Sequence, residues 1–406
     1  MEKIESTAGS YRWVLLSAAF VIMMVISIYQ YSWFLFAFSL QKQFNWVLST
    51  IGLTFTVFTY AATFIQPFSG YIADTYGPRK VAVTASVLVG IGLLLASTAA
   101  SPGMLYLYYG LGGVGVGILY GISASCAIKW FPDRRGFATG LVVFGFGAGT
   151  AIFNLFIQKM LDTMGLQTTF VYLGIAMLVI LVPLSLFYKY PEQPVQTAKG
   201  SGKDTAMSAT DYKPLEMLKT HQWFLIYFSF TFTISIVLMF GAQMKMVAKE
   251  FGLPEGYFSV LLVLFPLGNG LSRVFAGAIS DKIGREKTMV IFYSLLALSI
   301  FCFVFFAKTP LFFVVIVFIA ALLGGAPFAL YPATIGDYYG TKYSTTNYGI
   351  TYTAKAFAGL ISGWLSGYLF MKFGSFKPAL IAIACFSLLA AIISMPKIMK
   401  APGKKR

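Results

Sequence analysis

Charge and reactive side chains are scarce in this sequence. Only 11% of its 406 residues are charged, 14 are acidic, three are cysteine, and the one histidine is His221. Histidine, cysteine and clustered carboxylates supply most metal ligands, nucleophiles and general bases in proteins. The sequence contains neither an HExxH pattern nor a His-Cys cluster. We therefore expect no enzyme activity, no bound metal and no cofactor.

Apolar residues take the place of the missing charge. The sequence is 58% hydrophobic, and its mean hydropathy is +0.77. Because about 20 consecutive apolar residues span the ~30 Å hydrocarbon core of a bilayer, this composition predicts an all-α polytopic membrane protein. Twelve apolar runs are the predicted transmembrane helices, at residues 13–40, 48–73, 80–101, 104–129, 136–160, 167–190, 222–248, 255–280, 287–307, 310–336, 345–371 and 376–396.

One long hydrophilic stretch divides the predicted spans into two groups of six. It is rich in Lys, Ser, Thr and Pro, a composition typical of a solvated linker. We therefore expect an N-terminal six-helix half over residues 1–190, a cytoplasmic linker over 191–222 and a C-terminal six-helix half over 223–406.

The distribution of basic residues predicts the orientation in the membrane. With the N-terminus inside, most of the 30 Lys and Arg residues fall in cytoplasmic loops and tails, as the positive-inside rule requires. We expect a multi-pass protein of the cell (inner) membrane, embedded in the lipid bilayer with both termini in the cytoplasm. These loops also account for the formal net charge of +16, so we expect no nucleic-acid partner. We expect a monomer.

An internal repeat relates the two predicted halves. Gly70–Lys80 is GYIADTYGPRK and Gly277–Lys287 is GAISDKIGREK, and Gly, Asp, Gly and Lys recur in register at an offset of 207 residues. A repeat of this size within a polytopic protein predicts two homologous halves in parallel, a construction found in secondary transporters.

Both copies of the repeat resemble the loop motif of the major facilitator superfamily, G-x-x-x-D-x-x-G-x-[RK]-[RK], with a departure at Glu286 in the second copy. Three further motifs resemble the oxalate/formate antiporter family and its monocarboxylate-porter relatives: YQYSW at 29–33, KWFPDRRGFATG at 129–140 and NYGITYTAKA at 347–356. The resemblance implies the twelve-helix fold of that superfamily, in two pseudo-symmetric halves, and transport by alternating access.

Two cations, Arg273 and Lys355, lie well inside predicted spans. Charged residues at that depth are costly and usually functional, and substrate sites of repeat-built transporters lie near the midplane at the repeat interface. All 14 acidic residues fall in loops, tails or helix ends. The sequence therefore predicts that the substrate brings the compensating negative charge. In the resembled family the cations at these two positions bind the substrate carboxylate.

Other residues are predicted around these cations or at the cytoplasmic helix ends. Asn269 lies one turn before Arg273, where animal monocarboxylate transporters typically have aspartate, and it could hydrogen-bond the guanidinium or the ligand. The predicted site walls are Tyr29, Gln30, Tyr31, Tyr120, Phe328 and Tyr331, and the predicted gating charges are Asp74, Arg79, Asp133, Arg134, Arg135, Asp281 and Arg285. The GLGGVG run at 110–115 follows no predicted strand, which favours helix packing over nucleotide binding.

The predicted function is secondary active transport of small organic carboxylates, with protons as coupling ion or by anion exchange. Two cations suit a dianion, so an oxalate/formate antiporter is one alternative. The stretch GGAP at 324–327 lacks the tryptophan expected of an oxalate-selective pocket. Tyr352 stands where the motif of the oxalate/formate antiporter family often has another aromatic residue. Monocarboxylates such as lactate or pyruvate are therefore favoured. A non-transporting membrane sensor on the same fold is the alternative of another class.

Overall fold

The computed structural model describes residues 2–46, 48–191 and 211–403, and within these ranges every regular element is a helix. The helices are α1 Glu2–Tyr31, α2 Trp33–Phe44, α3 Leu48–Phe64, α4 Gln66–Tyr76, α5 Pro78–Ala96, α6 Pro102–Trp130, α7 Arg135–Ser185, α8 Pro214–Leu218, α9 His221–Glu250, α10 Glu255–Ile283, α11 Arg285–Phe306, α12 Pro310–Gly324, α13 Pro327–Tyr339, α14 Ser344–Tyr352, α15 Ala354–Leu360, α16 Ser366–Phe373 and α17 Lys377–Ile393.

These helices account for the twelve predicted spans. In the described ranges, nine helical segments are long and apolar enough to cross a membrane. One of them, α7, joins two spans through a turn at Gly165, where φ is 76° and ψ is 173°. The remaining two spans are the broken run α14 to α16 and the 17-residue helix α17. The prediction of an all-α protein with twelve membrane helices is confirmed.

The eleventh span is less regular than predicted. Residues 345–371 are predicted as one helix, whereas the structure interrupts it at Thr353 and inserts a π-helical turn at Ile361–Leu365. At the first break, Ala356 N–H bonds to the carbonyl of Thr353 instead of one residue earlier. Such interruptions depend on local hydrogen bonding that an apolar run does not reveal.

The chain forms two compact units. The first contains residues 1–133, 142–197 and 342–350, and the second contains 134–141, 198–341 and 351–406. Each unit therefore includes a short segment distant in sequence from its main part. Residues 192–210 of the predicted linker lie outside the described residues.

The sequence repeat is also a structural repeat. Gly77 has φ 91° and ψ 154°, and Gly284 has φ 97° and ψ 155°. Each glycine ends one helix and begins the next, in a region of φ that side chains disfavour. The matching dihedral angles explain why glycine stands at this place in both copies.

The glycines of α6 allow neighbouring helices to approach closely. A Cβ atom built on Gly112 would lie 2.2 Å from the Tyr29 hydroxyl, and one on Gly117 would lie 2.1 Å from the Ala62 carbonyl oxygen. Both distances are far below van der Waals contact. The glycine-rich run is a helix-packing surface, in agreement with its interpretation from the sequence.

Replacing Gly117 by alanine is therefore expected to destabilise the first unit. The added methyl group has to push α3 away from α6, and overpacking of this kind costs about 1–3 kcal/mol. Gly103 lies on the same helix with open space around it, so Gly103→Ala is the matched control and should not lower stability. Thermal unfolding of the two purified variants in detergent measures the difference. Equal melting temperatures would contradict the packing argument.

Candidate functional site

Arg273 lies in the interior of the second unit, on α10. Its side chain is 1% exposed, and its Nη2 atom donates a hydrogen bond to Asn269 Oδ1 at 2.8 Å. The two residues are four apart on one helix, so they share a face. Asn269 therefore holds the guanidinium in one orientation.

Phe328, from α13, covers the flat face of this guanidinium. The Arg273 Cζ atom lies 4.7 Å from the Phe328 ring centroid, within the range of a cation–π contact. Phe230 of α9 packs against Phe328 with a centroid distance of 6.1 Å and against Tyr331 at 4.6 Å. The aromatic rings fix the plane in which the N–H groups of Arg273 point.

Lys355 lies on α15 in the same unit and is 6% exposed. Its Nζ atom is 3.4 Å from the Tyr352 hydroxyl and 5.5 Å from the centroid of that ring. Tyr352 also contacts Phe230, with ring centroids 6.3 Å apart. The positive charges of Lys355 and Arg273 act on each other electrostatically. The second unit thus holds two buried cations among a connected set of aromatic rings.

Two hydroxyls predicted to face the site are bonded to the protein. Tyr29 donates to the carbonyl of Val89 at 2.6 Å, and the Tyr331 hydroxyl bonds to the Ser229 hydroxyl. Both tyrosines are fully buried. Each hydroxyl joins two neighbouring helices, and the role of both tyrosines in the site stays a prediction.

The other predicted wall residues belong to the first unit. The rings of Tyr31 and Tyr120 each contact Phe146, with centroid distances of 5.5 and 5.2 Å. Gln30 is half-buried beside them in the chain. The two predicted substrate cations, Arg273 and Lys355, both belong to the second unit.

The first copy of the repeated motif caps a helix. Asp74 accepts hydrogen bonds from Lys129 Nζ at 3.0 Å, from Thr345 Oγ1 at 2.6 Å and from the backbone N–H of Thr346 at 2.8 Å. The last two groups belong to the N-terminal end of α14, where unpaired N–H groups and the helix dipole favour an anion.

The second copy of the repeated motif caps the N-terminal end of α7. Asp281 accepts from the N–H groups of Gly136 and Phe137 at 2.9 and 2.8 Å, and from Arg285 at 2.6 Å. Arg285 also donates from Nε to Asp337 at 2.7 Å. The two motif aspartates therefore have equivalent roles within their own units.

Asp337 joins two arginines in a buried ion cluster. It accepts from Arg135 Nη1 at 2.5 Å as well as from Arg285. Among the other predicted gating charges, Arg79 and Arg134 are exposed, and Asp133 makes an exposed ion pair with Arg12 at 3.2 Å. Next to the exposed Arg134, Arg135 is the buried arginine that pairs with Asp337.

Phe230, Lys129 and Asp337 are functional candidates that the sequence does not predict. Phe230 lies in a run of apolar and aromatic residues where periodicity does not separate lipid-facing from inward-facing rings. Lys129 and Asp337 are assigned to helix ends from the sequence, and their position alone does not identify their partners. Within the described residues, no group of three or more His, Cys, Asp or Glu side chains could hold a metal ion.

Comparison with known proteins identifies the family. The family model of the Major Facilitator Superfamily matches residues 15–246 and 224–406. The chain belongs to the major facilitator superfamily. It is 32% identical to the oxalate:formate antiporter of Oxalobacter formigenes over 97% of this chain and 94% of that protein. It is 25% identical to monocarboxylate transporter 13 of Rattus norvegicus, over 98% and 91%.

Solved structures of the superfamily share the fold. The proton:xylose symporter XylE bound to 6-bromo-6-deoxy-D-glucose matches with a TM-score of 0.75 and 15% identity, over 97% of this chain and 96% of that one. This likeness agrees with the twelve-helix architecture. The protein is a multi-pass membrane transporter of the major facilitator superfamily with a small-molecule substrate.

The ion cluster around Asp337 yields a stability prediction. Asp337→Asn removes the negative charge from between two buried arginines, and breaking a buried ion pair on one side costs about 3–5 kcal/mol. The control is Asp133→Asn, because its exposed pair with Arg12 is worth about 0–1 kcal/mol. Melting temperatures of the purified variants should separate clearly. A melting temperature of Asp337→Asn equal to that of Asp133→Asn would refute the importance of this cluster.

Proposed function

We propose that this transporter is a secondary active carrier of small organic carboxylate anions. The observation that supports this proposal most is the buried guanidinium of Arg273, held by Asn269 and covered by Phe328. An arginine fixed in this way presents its N–H groups in one plane, and a carboxylate can bind two of them at once. Arg273 is the proposed anchor of the substrate carboxylate.

Lys355 is the proposed second charge of the binding site. Keeping two like charges buried near each other is unfavourable, and an anion that enters the site reduces this cost. A substrate without negative charge would not provide this compensation. The rings of Phe230, Phe328 and Tyr352 would exclude water and strengthen the electrostatic attraction.

The names of two relatives support the same class of substrate. One relative is named as an oxalate:formate antiporter and another as a monocarboxylate transporter, and the compounds in both names are carboxylates. We favour monocarboxylates such as lactate or pyruvate for this chain. Oxalate, which could engage both cations, is the second candidate.

Coupling depends on the charge of Lys355 in the empty carrier. If both cations stay charged, reorientation without ligand is disfavoured and the carrier exchanges one anion for another. If Lys355 releases its proton when the site empties, a proton travels with the anion and the carrier is a symporter. Both schemes use alternating access, with Asp74, Asp133, Arg134, Asp281, Arg285 and the exposed Arg79 as proposed gating residues.

The proposed setting of the carrier follows the positive-inside rule. We propose the cell (inner) membrane, both termini in the cytoplasm and a monomer as the working unit. The helix ends capped by Asp74 and Asp281 would then face the cytoplasm.

Counterflow in proteoliposomes tests the proposed function. Liposomes preloaded with unlabelled lactate, pyruvate, formate or oxalate should accumulate the labelled anion, and a pH gradient should change the rate only if protons are coupled. Absence of uptake of every carboxylate by folded protein would refute the proposal. Carboxylate binding without transport would instead favour a sensor.

Single substitutions test the two cations. Arg273→Gln should abolish carboxylate transport, and Lys355→Gln should remove either dianion selectivity or proton coupling. Lys282 is an exposed cation at the end of the same helix as Arg273, so Lys282→Gln is the matched control and should transport normally. Wild-type transport by both Arg273→Gln and Lys355→Gln would show that the anion site is assigned to the wrong residues.

A further inference from the structure

The side chain of Asn269 has a fixed orientation beside Arg273. It is 3% exposed, and its Oδ1 atom accepts a hydrogen bond from Arg273 Nη2 at 2.8 Å. A guanidinium has five N–H donors and no acceptor. The oxygen of the Asn269 amide must therefore face Arg273, and its NH₂ group must face the other way.

The NH₂ group of Asn269 makes no hydrogen bond to any of the residues that the structure describes. Buried polar groups almost always have a hydrogen-bond partner, so an exception in a binding region needs an explanation. The Nδ2 atom belongs to the same amide that contacts Arg273, so it lies within a few ångströms of the guanidinium. A ligand held by Arg273 is within reach of it.

The backbone at Asn269 is held in place by close packing. A Cβ atom built on Gly325, which follows α12, would lie 2.1 Å from the Asn269 carbonyl oxygen. The chain around Gly325 therefore touches α10 directly at this point. With its backbone packed and its oxygen bonded to Arg273, the amide has little freedom to turn its NH₂ group elsewhere.

We propose that Asn269 determines substrate specificity by donating a hydrogen bond from Nδ2 to an oxygen on the second carbon of the carboxylate held by Arg273. This inference rests on the proposed function. The preferred substrates are then 2-oxo acids, 2-hydroxy acids and oxalate, each of which has an acceptor oxygen at that carbon. Formate, acetate and propionate lack this oxygen and would leave the amide without a partner.

The amide also preserves the positive charge of Arg273. A neutral asparagine orients the guanidinium without neutralising it, and unlike an aspartate it also offers an N–H donor to the ligand. The same geometry therefore predicts opposite requirements for the two ends of the side chain, an oxygen toward Arg273 and a donor toward the ligand.

Pyruvate, lactate and propionate provide a matched test because they have the same three-carbon chain and differ at the second carbon. Uptake of the three labelled acids is measured in proteoliposomes with wild-type protein, Asn269→Ala and Asn269→Asp. Wild-type protein should prefer pyruvate and lactate to propionate, and Asn269→Ala should reduce this preference by roughly threefold to tenfold, as expected for one hydrogen bond. Asn269→Asp keeps an oxygen toward Arg273 but has no N–H donor, so it should reduce the preference as well.

The preference is a ratio within one variant, so it does not depend on how much protein is folded. Ser259→Ala, an exposed position on the same helix, is the control and should keep the wild-type ratio. The role of Asn269 would be overturned if the wild-type carrier transported the three acids equally, or if Asn269→Ala kept the wild-type preference for pyruvate and lactate over propionate. Either result would leave the proposed function intact. Transport of none of the three acids, and of neither oxalate nor formate, by folded wild-type protein would overturn the proposed function itself.

Discussion

The burial of Arg273 is the constraint on which the interpretation of this transporter depends. Removing a guanidinium from water is costly unless hydrogen bonds and opposite charge compensate. Asn269 supplies a neutral oxygen and Phe328 supplies a ring face. Neither cancels the positive charge, and a second cation, Lys355, acts on it from within the same unit. The proposed site would therefore favour an anion over a neutral molecule.

Close backbone packing keeps these side chains in position. A Cβ atom on Gly140 would lie 2.2 Å from the Arg273 carbonyl oxygen, and one on Gly325 would lie 2.1 Å from that of Asn269. The helix that carries both residues is therefore in direct contact with other parts of its unit. Asp281 adds a fixed anchor near the end of this helix through its bonds to Gly136 and Phe137. The proposed role of the Asn269 amide in substrate discrimination requires rigid support of this kind.

The sequence predicts much of this protein because the bilayer restricts the possible structures. Twelve apolar runs and one repeated motif are sufficient for the fold, since helices satisfy their own backbone hydrogen bonds in lipid. The pairing of Arg273 with Asn269 follows from their spacing on one helix. Contacts that join distant segments, such as Asp337 with Arg135 or Phe230 with Tyr352, depend on tertiary packing. The same holds for the Tyr29 hydroxyl, whose bond to Val89 no local pattern reveals.

Ligand-dependent thermal stabilisation of the purified protein tests most directly whether the buried guanidinium is an anion site. A ligand that binds only the folded state stabilises it by about 2.7 kcal/mol at a hundred times its dissociation constant. The melting temperature of the wild-type protein should therefore rise with pyruvate concentration, and the rise should be absent in Arg273→Gln at equal ionic strength. An equal rise in both proteins, or no rise with any carboxylate, would contradict the central role of Arg273.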